Sequence, residues 1–235
     1  MGVKQMFKRI QTKIMLSVSI LVAITLLSVS LFSYFQTKQQ LVRNSNEQAT
    51  SLSSEVKAST ELYLKSYGDT IDRYSQDSRL INYLKTVKTN ETKGLNEVWP
   101  IVDQDFKHFL DLNKNVAVLY IGAETKQFKT TPKLELPDGF DPTERPWYQT
   151  AKQTPEKIMW TEPYEDASSG EYVVTVTKPV LDPATDEVLG VVGLDLNLGG
   201  LTSMINKTKV SYKGYPVLFD PKGMALVHPT QQGKN

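Results

Sequence analysis

The stretch Phe140-Asp141-Pro142-Thr143-Glu144-Arg145-Pro146-Trp147-Tyr148 crowds a guanidinium, an indole and two further aromatic rings into a short span. A guanidinium can hold a carboxylate through two parallel hydrogen bonds. The indole N–H beside it adds a donor, and Tyr148 offers a hydroxyl on a flat apolar body. Such a cluster suits a pocket wall, and it equally suits a loop whose rings plug the core while Arg145 pairs with a nearby aspartate. Downstream, Trp160-Thr161-Glu162-Pro163-Tyr164-Glu165-Asp166 places an aromatic hydroxyl and a carboxylate at a strand end, and Gly193-Leu194-Asp195-Leu196 sets one acid inside an otherwise apolar strand. A buried carboxylate is costly unless paired or hydrogen-bonded. Asp195 therefore needs a partner: a ligand ammonium, a lysine, or the donors of a strand-end cap. A cationic donor end and an anionic acceptor end together suit a zwitterion, which is the least that recognition of a free α-amino acid requires.

Catalysis finds little footing. Both histidines lie outside this cluster, His108 on the polar stripe of a helix and His228 near the end of the chain. No G-x-S-x-G, H-E-x-x-H or P-loop pattern occurs. Glu162 and Asp166 could be cast as glycosidase carboxylates, but close acids in a strand-end loop are ordinarily solvated. The absence of cysteine excludes disulfides, thiolate metal sites and a thiol nucleophile. The sequence reads as a binding protein, not an enzyme, with neither metal nor cofactor.

These residues must be carried by elements outside the membrane. From Ile14 to Phe35 there is no charge; as a helix this run spans ~33 Å, against a hydrocarbon core of ~30 Å. Its serines and threonines can bond back to the helix's own carbonyls. The rival is a cleaved signal peptide, whose apolar region is shorter and ends at small residues; here the run passes into Phe32, Tyr34 and Phe35, as a membrane interface favours. Lys4, Lys8, Arg9 and Lys13 precede the span with no acid among them, so residues 1–13 are expected in the cytoplasm, 14–35 across the membrane and 36–235 outside. Those four leave 23 of the chain's 27 basic residues to face all 26 acidic ones, which is no nucleic-acid footprint.

Residues 36–87 contain one glycine and no proline, with Ala49, Leu52, Val56, Tyr63, Tyr67, Ile71 and Tyr74 at helical spacing. One long helix is expected there, part of it a plausible seam for a homodimer. A second helix is expected from Leu95 to Leu112, its inner face carrying Leu95, Val98, Val102, Phe106, Phe109 and Leu110, after a polar turn over Lys88–Gly94. Past Asn115 the period changes to two: strands are expected at Val116–Ile121, Gln127–Thr130, Lys157–Pro163, Tyr172–Leu181 and Val188–Leu198. A loop is expected at Pro132–Pro142 and a short helix at Arg145–Lys152. Gly199-Gly200 is expected to break the last of these strands before a brief helix at Leu201–Lys207. Tyr215–Phe219 and Met224–His228, joined by a turn at Pro221–Gly223, open a second sheet. A lone pair of strands is marginal, so the sequence reads as a piece of a longer protein.

The order of elements, with DPTERPWY and TEPYEDASSGEYVVTVTKPV as its most specific segments, resembles the double Cache (tandem PAS-like) sensor of bacterial methyl-accepting chemotaxis proteins, amino-acid-binding branch. The resemblance covers roughly residues 10 to 233. It implies an α+β fold: an N-terminal transmembrane helix, the long amphipathic helix 36–87, and a membrane-distal PAS-like antiparallel sheet in a ligand-binding module 88–198. A linker helix and the truncated start of a membrane-proximal PAS-like sheet then occupy 199–235. It implies that Arg145 and Trp147 hold a ligand carboxylate with Tyr148 beside them, that Tyr164 matches a later pocket tyrosine, and that Asp195 takes the ammonium. Asp166 and Tyr120 rank as secondary pocket residues. Where that branch usually carries tyrosine this chain has Phe140, which keeps the ring and lacks a hydroxyl. The resemblance further implies a second membrane helix, a linker module and a methylated cytoplasmic coiled coil beyond residue 235, working on a cytoplasmic kinase and adaptor. The same sensor also suits a histidine kinase or a cyclic-dinucleotide enzyme. A surface-tethered structural module without a small ligand remains a third reading, and it expects a filled pocket around Trp147.

Overall fold

A computed structural model of the chain describes residues 3–89, 92–206, 215–219, 222–223 and 225–228. Two compact units are present, Met1–Glu55 and Val56–Asn235. The first is the leading part of helix α1 (Val3–Ser75). Every described side chain of its uncharged segment is exposed, Leu27 at 65% and Phe32 at 68% among them. The core helix of a soluble protein would hide such residues. This helix is long and apolar enough to cross a membrane, and Ser17, Thr25 and Ser28 each donate to a carbonyl three or four residues back at 2.8–2.9 Å.

The second unit is built on an antiparallel sheet. Its strands are β1 (Val116–Ala123), β2 (Phe128–Thr131), β3 (Met159–Trp160), β4 (Tyr164–Glu165), β5 (Tyr172–Leu181) and β6 (Val188–Asn197). The order is β2-β1-β6-β5-β3, with β4 also on β5. Alternation along the strands sends successive side chains to opposite faces. Leu119 and Ile121 of β1, Val174 and Val176 of β5, and Val192 and Leu194 of β6 face one way. They meet Tyr67 and Ile71 of α1, Leu80 and Leu84 of α2 (Ser78–Thr89), and Val102 and Phe106 of α3 (Thr92–Leu112), which carries Pro100 within it. Each such side chain, fully buried, contributes roughly 1.5–3 kcal/mol. Val118, Tyr120 and Val191 face the other way, against Trp147, Tyr148 and Ala151 of α4 (Pro146–Gln153).

The helix expected to run unbroken to residue 87 is interrupted at Gln76-Asp77. The Asp77 carboxylate accepts from the Arg79 backbone N–H at 2.8 Å and pairs with its guanidinium. This is an N-cap, which starts a new helix rather than continuing the old one. α3 begins at Thr92, so Gly94 lies within a helix and not in a turn; the side chain of Leu95 lies outside the described residues. The strand expected at Lys157–Pro163 is reduced to β3, and a second short strand, β4, follows just past it, with Pro163 between them unable to donate to a ladder.

The last strand ends at Asn197, just before Gly199-Gly200, and the brief helix begins earlier than expected, so both glycines lie in the first turn of α5 (Leu198–Ile205). Asn197 Oδ1 accepts from the Gly199 N–H at 2.6 Å and caps that helix. A Cβ on Gly200 would sit 2.7 Å from Cβ of Asn115. Asn115 is tied at both ends: its carbonyl accepts from the Asn197 N–H at 3.3 Å, and its amide donates to the Tyr63 hydroxyl of α1 at 2.9 Å. β7 (Leu218–Phe219) and β8 (Ala225–Val227) pair as the expected second small sheet, with Val227 packed on Leu201 and Ile205. Part of the turn expected at Pro221–Gly223 lies outside the described residues.

Candidate functional site

The segment from Asp141 to Tyr148 folds as two consecutive capped turns, which explains its composition. Asp141 accepts from the Thr143 N–H at 2.9 Å and caps a 3₁₀ turn, Pro142–Glu144. Arg145 then serves as N-cap residue of α4, its carbonyl accepting from the Tyr148 and Gln149 N–H groups at 3.1 Å. Pro142 and Pro146 occupy first helical positions, where a missing N–H costs nothing. Lys126, in the left-handed region at φ 68° in the turn between β1 and β2, pairs with Asp141 at 2.6 Å and pins the segment to the sheet. Because Asp141 is engaged there, it does not neutralise Arg145.

Trp147 is buried, 4.7 Å from the Tyr120 ring centroid and stacked on Phe128 at 5.9 Å. Two glycines make space for these rings. A Cβ on Gly122 would come within 2.6 Å of the indole, and one on Gly193 within 2.4 Å of the Tyr120 ring. Arg145, half-buried, has its guanidinium carbon 5.9 Å from the Phe140 centroid and 6.0 Å from that of Tyr164. Its described hydrogen bond is a long one, 3.4 Å, to the carbonyl of Glu165. Among the described residues no carboxylate pairs with it.

Asp195 is 2% exposed. Tyr120 donates to its Oδ1 at 2.6 Å, and Thr175, its cross-strand neighbour, donates to the same oxygen. With the Thr175 proton directed there, the 2.8 Å contact between Thr175 and Tyr164 has the Tyr164 hydroxyl as donor. Among the described residues no lysine or arginine pairs with Asp195. Burial raises its carboxyl to about 7, against the pull of the Thr175 and Tyr120 hydroxyls, and the nearby Asp166 adds to the rise. Burial likewise lifts the Tyr120 and Tyr164 hydroxyls well above their ordinary range, with the Asp195 charge contributing. Both remain protonated donors.

Arg145, Trp147, Tyr164, Asp195, Phe140, Asp166 and Tyr120 line one cavity. Its enclosed space is about 20 Å³, room for about one water molecule. Tyr148 is not in its lining. That residue packs behind Trp147 with a buried hydroxyl that has no hydrogen-bond partner among the described residues, beside a shallow pocket with Glu124 and Lys152. Asp166 holds a turn, its Oδ2 accepting from Ser168 N, Ser169 N and Ser169 Oγ at 2.7–3.2 Å. Of the other acids considered, Glu162 pairs with Lys222 at 2.7 Å. His108 is exposed on α3.

Sequence reasoning passed over Thr175 and Phe128. Thr175 was legible in principle, being a polar residue inside the β-branched run YVVTVTKPV and a candidate to lie across from the only acid in the next strand. Phe128, on a four-residue strand, carried no such signal.

Residues 81–203 match the family described as methyl-accepting chemotaxis protein-like, first PDC sensor domain. The chain is similar to the methyl-accepting chemotaxis protein McpC of Bacillus subtilis, 38% identical over 230 residues, which is 98% of this chain and 34% of that protein. It thus spans about a third of that relative's length. Among solved structures, it is similar to the ligand-binding domain of the Pseudomonas fluorescens chemoreceptor CtaA in complex with L-isoleucine (25% identity, TM-score 0.57, 77% of this chain and 67% of that one). The same domain in complex with L-serine gives 26% identity and a TM-score of 0.60, covering 77% and 71%. The ligand-binding domain of the Campylobacter jejuni chemoreceptor Tlp3, at 24% identity, shares the fold with a TM-score of 0.63 over 79% of this chain and 69% of that one.

Proposed function

Because the chain belongs to the methyl-accepting chemotaxis protein-like family through its first PDC sensor domain, we propose that its sheet-based unit binds a free amino acid and reports it across the membrane to the chemotaxis machinery. One observation carries this reading. Among the described residues, a buried carboxylate without a cationic partner and a partly exposed arginine without an anionic one border the same cavity. Packing alone would favour neutral side chains at such positions, since uncompensated buried charge is destabilising. A zwitterion compensates both. Its carboxylate meets Arg145 and the Trp147 indole; its ammonium meets Asp195, with the hydroxyls of Tyr120, Tyr164 and Thr175 arranged around that acid. With room for about one water molecule, the cavity has to open for an amino acid to enter. The filled surroundings of Trp147 are also what a structural module would show, and family membership decides for the sensor. The CtaA domain, which shares this fold, is known in complex with L-isoleucine and with L-serine.

In this reading residues 1–13 are cytoplasmic, 14–35 span the membrane and 36 onward lie outside. Residues 88–198 carry the sensing sheet, 199–235 begin a second module, and the receptor is a homodimer. Its output passes through parts beyond residue 235 to a cytoplasmic kinase and adaptor. Family membership favours that output over a histidine kinase or a cyclic-dinucleotide enzyme.

The test is calorimetry on the full chain in lipid nanodiscs against the common amino acids. Arg145→Ala should weaken binding by about 2–5 kcal/mol, since it strands a desolvated carboxylate, and lysine there should restore only part of it because the fork is lost. Ligand ammonium needs Asp195 ionised, and its carboxyl titrates near 7 in the free protein. Affinity should therefore fall roughly tenfold per pH unit below that value. Binding that ignores both Arg145→Ala and pH between 5 and 8 would place the ligand elsewhere.

A further inference from the structure

Resting on that reading of the site, the lining that the zwitterion leaves over says what the rest of the ligand is. Arg145, Trp147, Asp195, Tyr120 and Tyr164 are taken by the ligand's two charged ends. What remains around the cavity is Val118, Phe128, Leu134, Leu136, Phe140 and Ala167, together with Asp166. The first six offer no side-chain hydrogen bond and no charge. Asp166 is already held in its own turn by three hydrogen bonds to one oxygen, and its charge bears on Asp195 closely enough to help raise that carboxyl. A ligand side chain bearing a carboxylate would meet two carboxylates and an apolar wall. One bearing branched carbons would meet matching surface.

Leu134, Leu136 and Phe140 share the connection between β2 and the 3₁₀ turn, whose residues 135–139 are all exposed. Only two hydrogen bonds of its backbone N–H groups are described, Leu134 N–H to the Thr130 hydroxyl at 3.1 Å and Phe140 N–H to the Pro137 carbonyl at 3.2 Å. The cavity's free space, about 20 Å³, admits about one water molecule, so a branched side chain needs part of the wall to move. The lightly bonded wall is the one that can part and reseal, since regions with few buried contacts open most readily.

We infer that the ligand's side chain is aliphatic, and that the connection carrying Leu134, Leu136 and Phe140 selects it by closing over it. Leu136 is the natural probe: at 37% exposed it can be changed without opening the core. For the full chain in nanodiscs, titration calorimetry should rank L-valine and L-isoleucine at least tenfold tighter than glycine. L-aspartate and L-glutamate should be weaker than glycine. Leu136→Arg should lower affinity for L-isoleucine at least tenfold and raise that for L-glutamate by a similar factor. Failure of this inference differs from failure of the reading beneath it. If glycine binds and needs Arg145 but the aliphatic residues gain nothing over it, or L-lysine outranks them, the selection by this wall is wrong and the amino-acid site stands. If no amino acid binds, glycine included, both fall.

Discussion

The sheet has two buried faces, and they tolerate different residues. On the face covered by α1, α2 and α3, the strands present Leu119, Ile121, Val174, Val176, Val192 and Leu194, nearly all of them fully enclosed. On the face under α4 the same strands present Tyr120, Thr175 and Asp195 at comparable burial. Adjacent positions of one strand, Leu194 and Asp195, thus belong to opposite regimes. One face is organised to minimise its own free energy. The other holds a buried carboxylate that the hydroxyls of Tyr120 and Thr175 offset only in part, as sites built for binding commonly do.

Substituting those two neighbours is the strongest way to break this comparison. Leu194→Ala should destabilise the sheet unit by about 2–5 kcal/mol through lost burial and the cavity left behind, read as a shift in the chemical denaturation midpoint. Asp195→Asn, one residue on, should stabilise the ligand-free protein at pH 8 while binding is largely lost. If both destabilise alike, the two faces are not different in kind.

The Asp195 effect has a definite pH signature. Its carboxyl lies near 7 when folded, against 3.8 ordinarily, with burial the main cause. Between those values the folded chain binds more protons than the unfolded one, so this group's contribution to stability falls as pH rises from about 4 to 7. The full span corresponds to roughly 4 kcal/mol as an upper bound. The gap in stability between Asp195→Asn and the parent should accordingly open from pH 4 to pH 7 and be flat above. A gap independent of pH would mean that Asp195 is not the strained group. Paired surface carboxylates act in the other sense: Asp141 is held at about 2 by Lys126 and Thr143.

A smaller effect tests how the site's face is shaped. Gly122→Ala places a methyl 2.6 Å from the Trp147 ring, an overpacking worth about 1–3 kcal/mol. Tryptophan fluorescence should shift with ligand affinity, whereas Gly68→Ala, whose Cβ would meet Ile158 at an ordinary 3.6 Å, should change neither. Smallest of all, Tyr164→Phe removes one hydroxyl bond to Thr175 and should cost about 1 kcal/mol of binding.

How much of this was legible in the sequence depended on which face a residue served. The helix face announces itself through periodicity: Tyr67, Ile71, Val102 and Phe106 recur at helical spacing, and β5 and β6 fall within a residue of their expected limits. Seven of the eight candidate pocket residues share one cavity because arginine, tryptophan and a lone acid in an apolar strand are conspicuous. Tyr148 lies outside the cavity's lining for a geometric reason. Consecutive residues of a helix diverge by about 100°, so with Trp147 at the cavity Tyr148 is buried behind it instead. Thr175 was missed because its role depends on cross-strand register, which no local pattern states. The break at Gln76-Asp77 left a trace in the spacing: Ile71 and Leu80 stand nine residues apart, about two and a half turns of one continuous helix, so the buried face of α2 is offset by roughly half a turn from that of α1.

Asn115 joins β6 to α1 within the second unit. Its carbonyl is held by β6 just two residues past Asp195, its amide by Tyr63 of α1, and its flank by Gly200 at a distance that leaves no room for a methyl. Hydrogen bonds weaken steeply once stretched beyond their normal range. The Asn115–Asn197 bond, at 3.3 Å, already lies at the long end of that range, so a slide of β6 would strain this link before the 2.9 Å bond to Tyr63. One asparagine thus connects the strand that carries Asp195 to the helix that carries Tyr63.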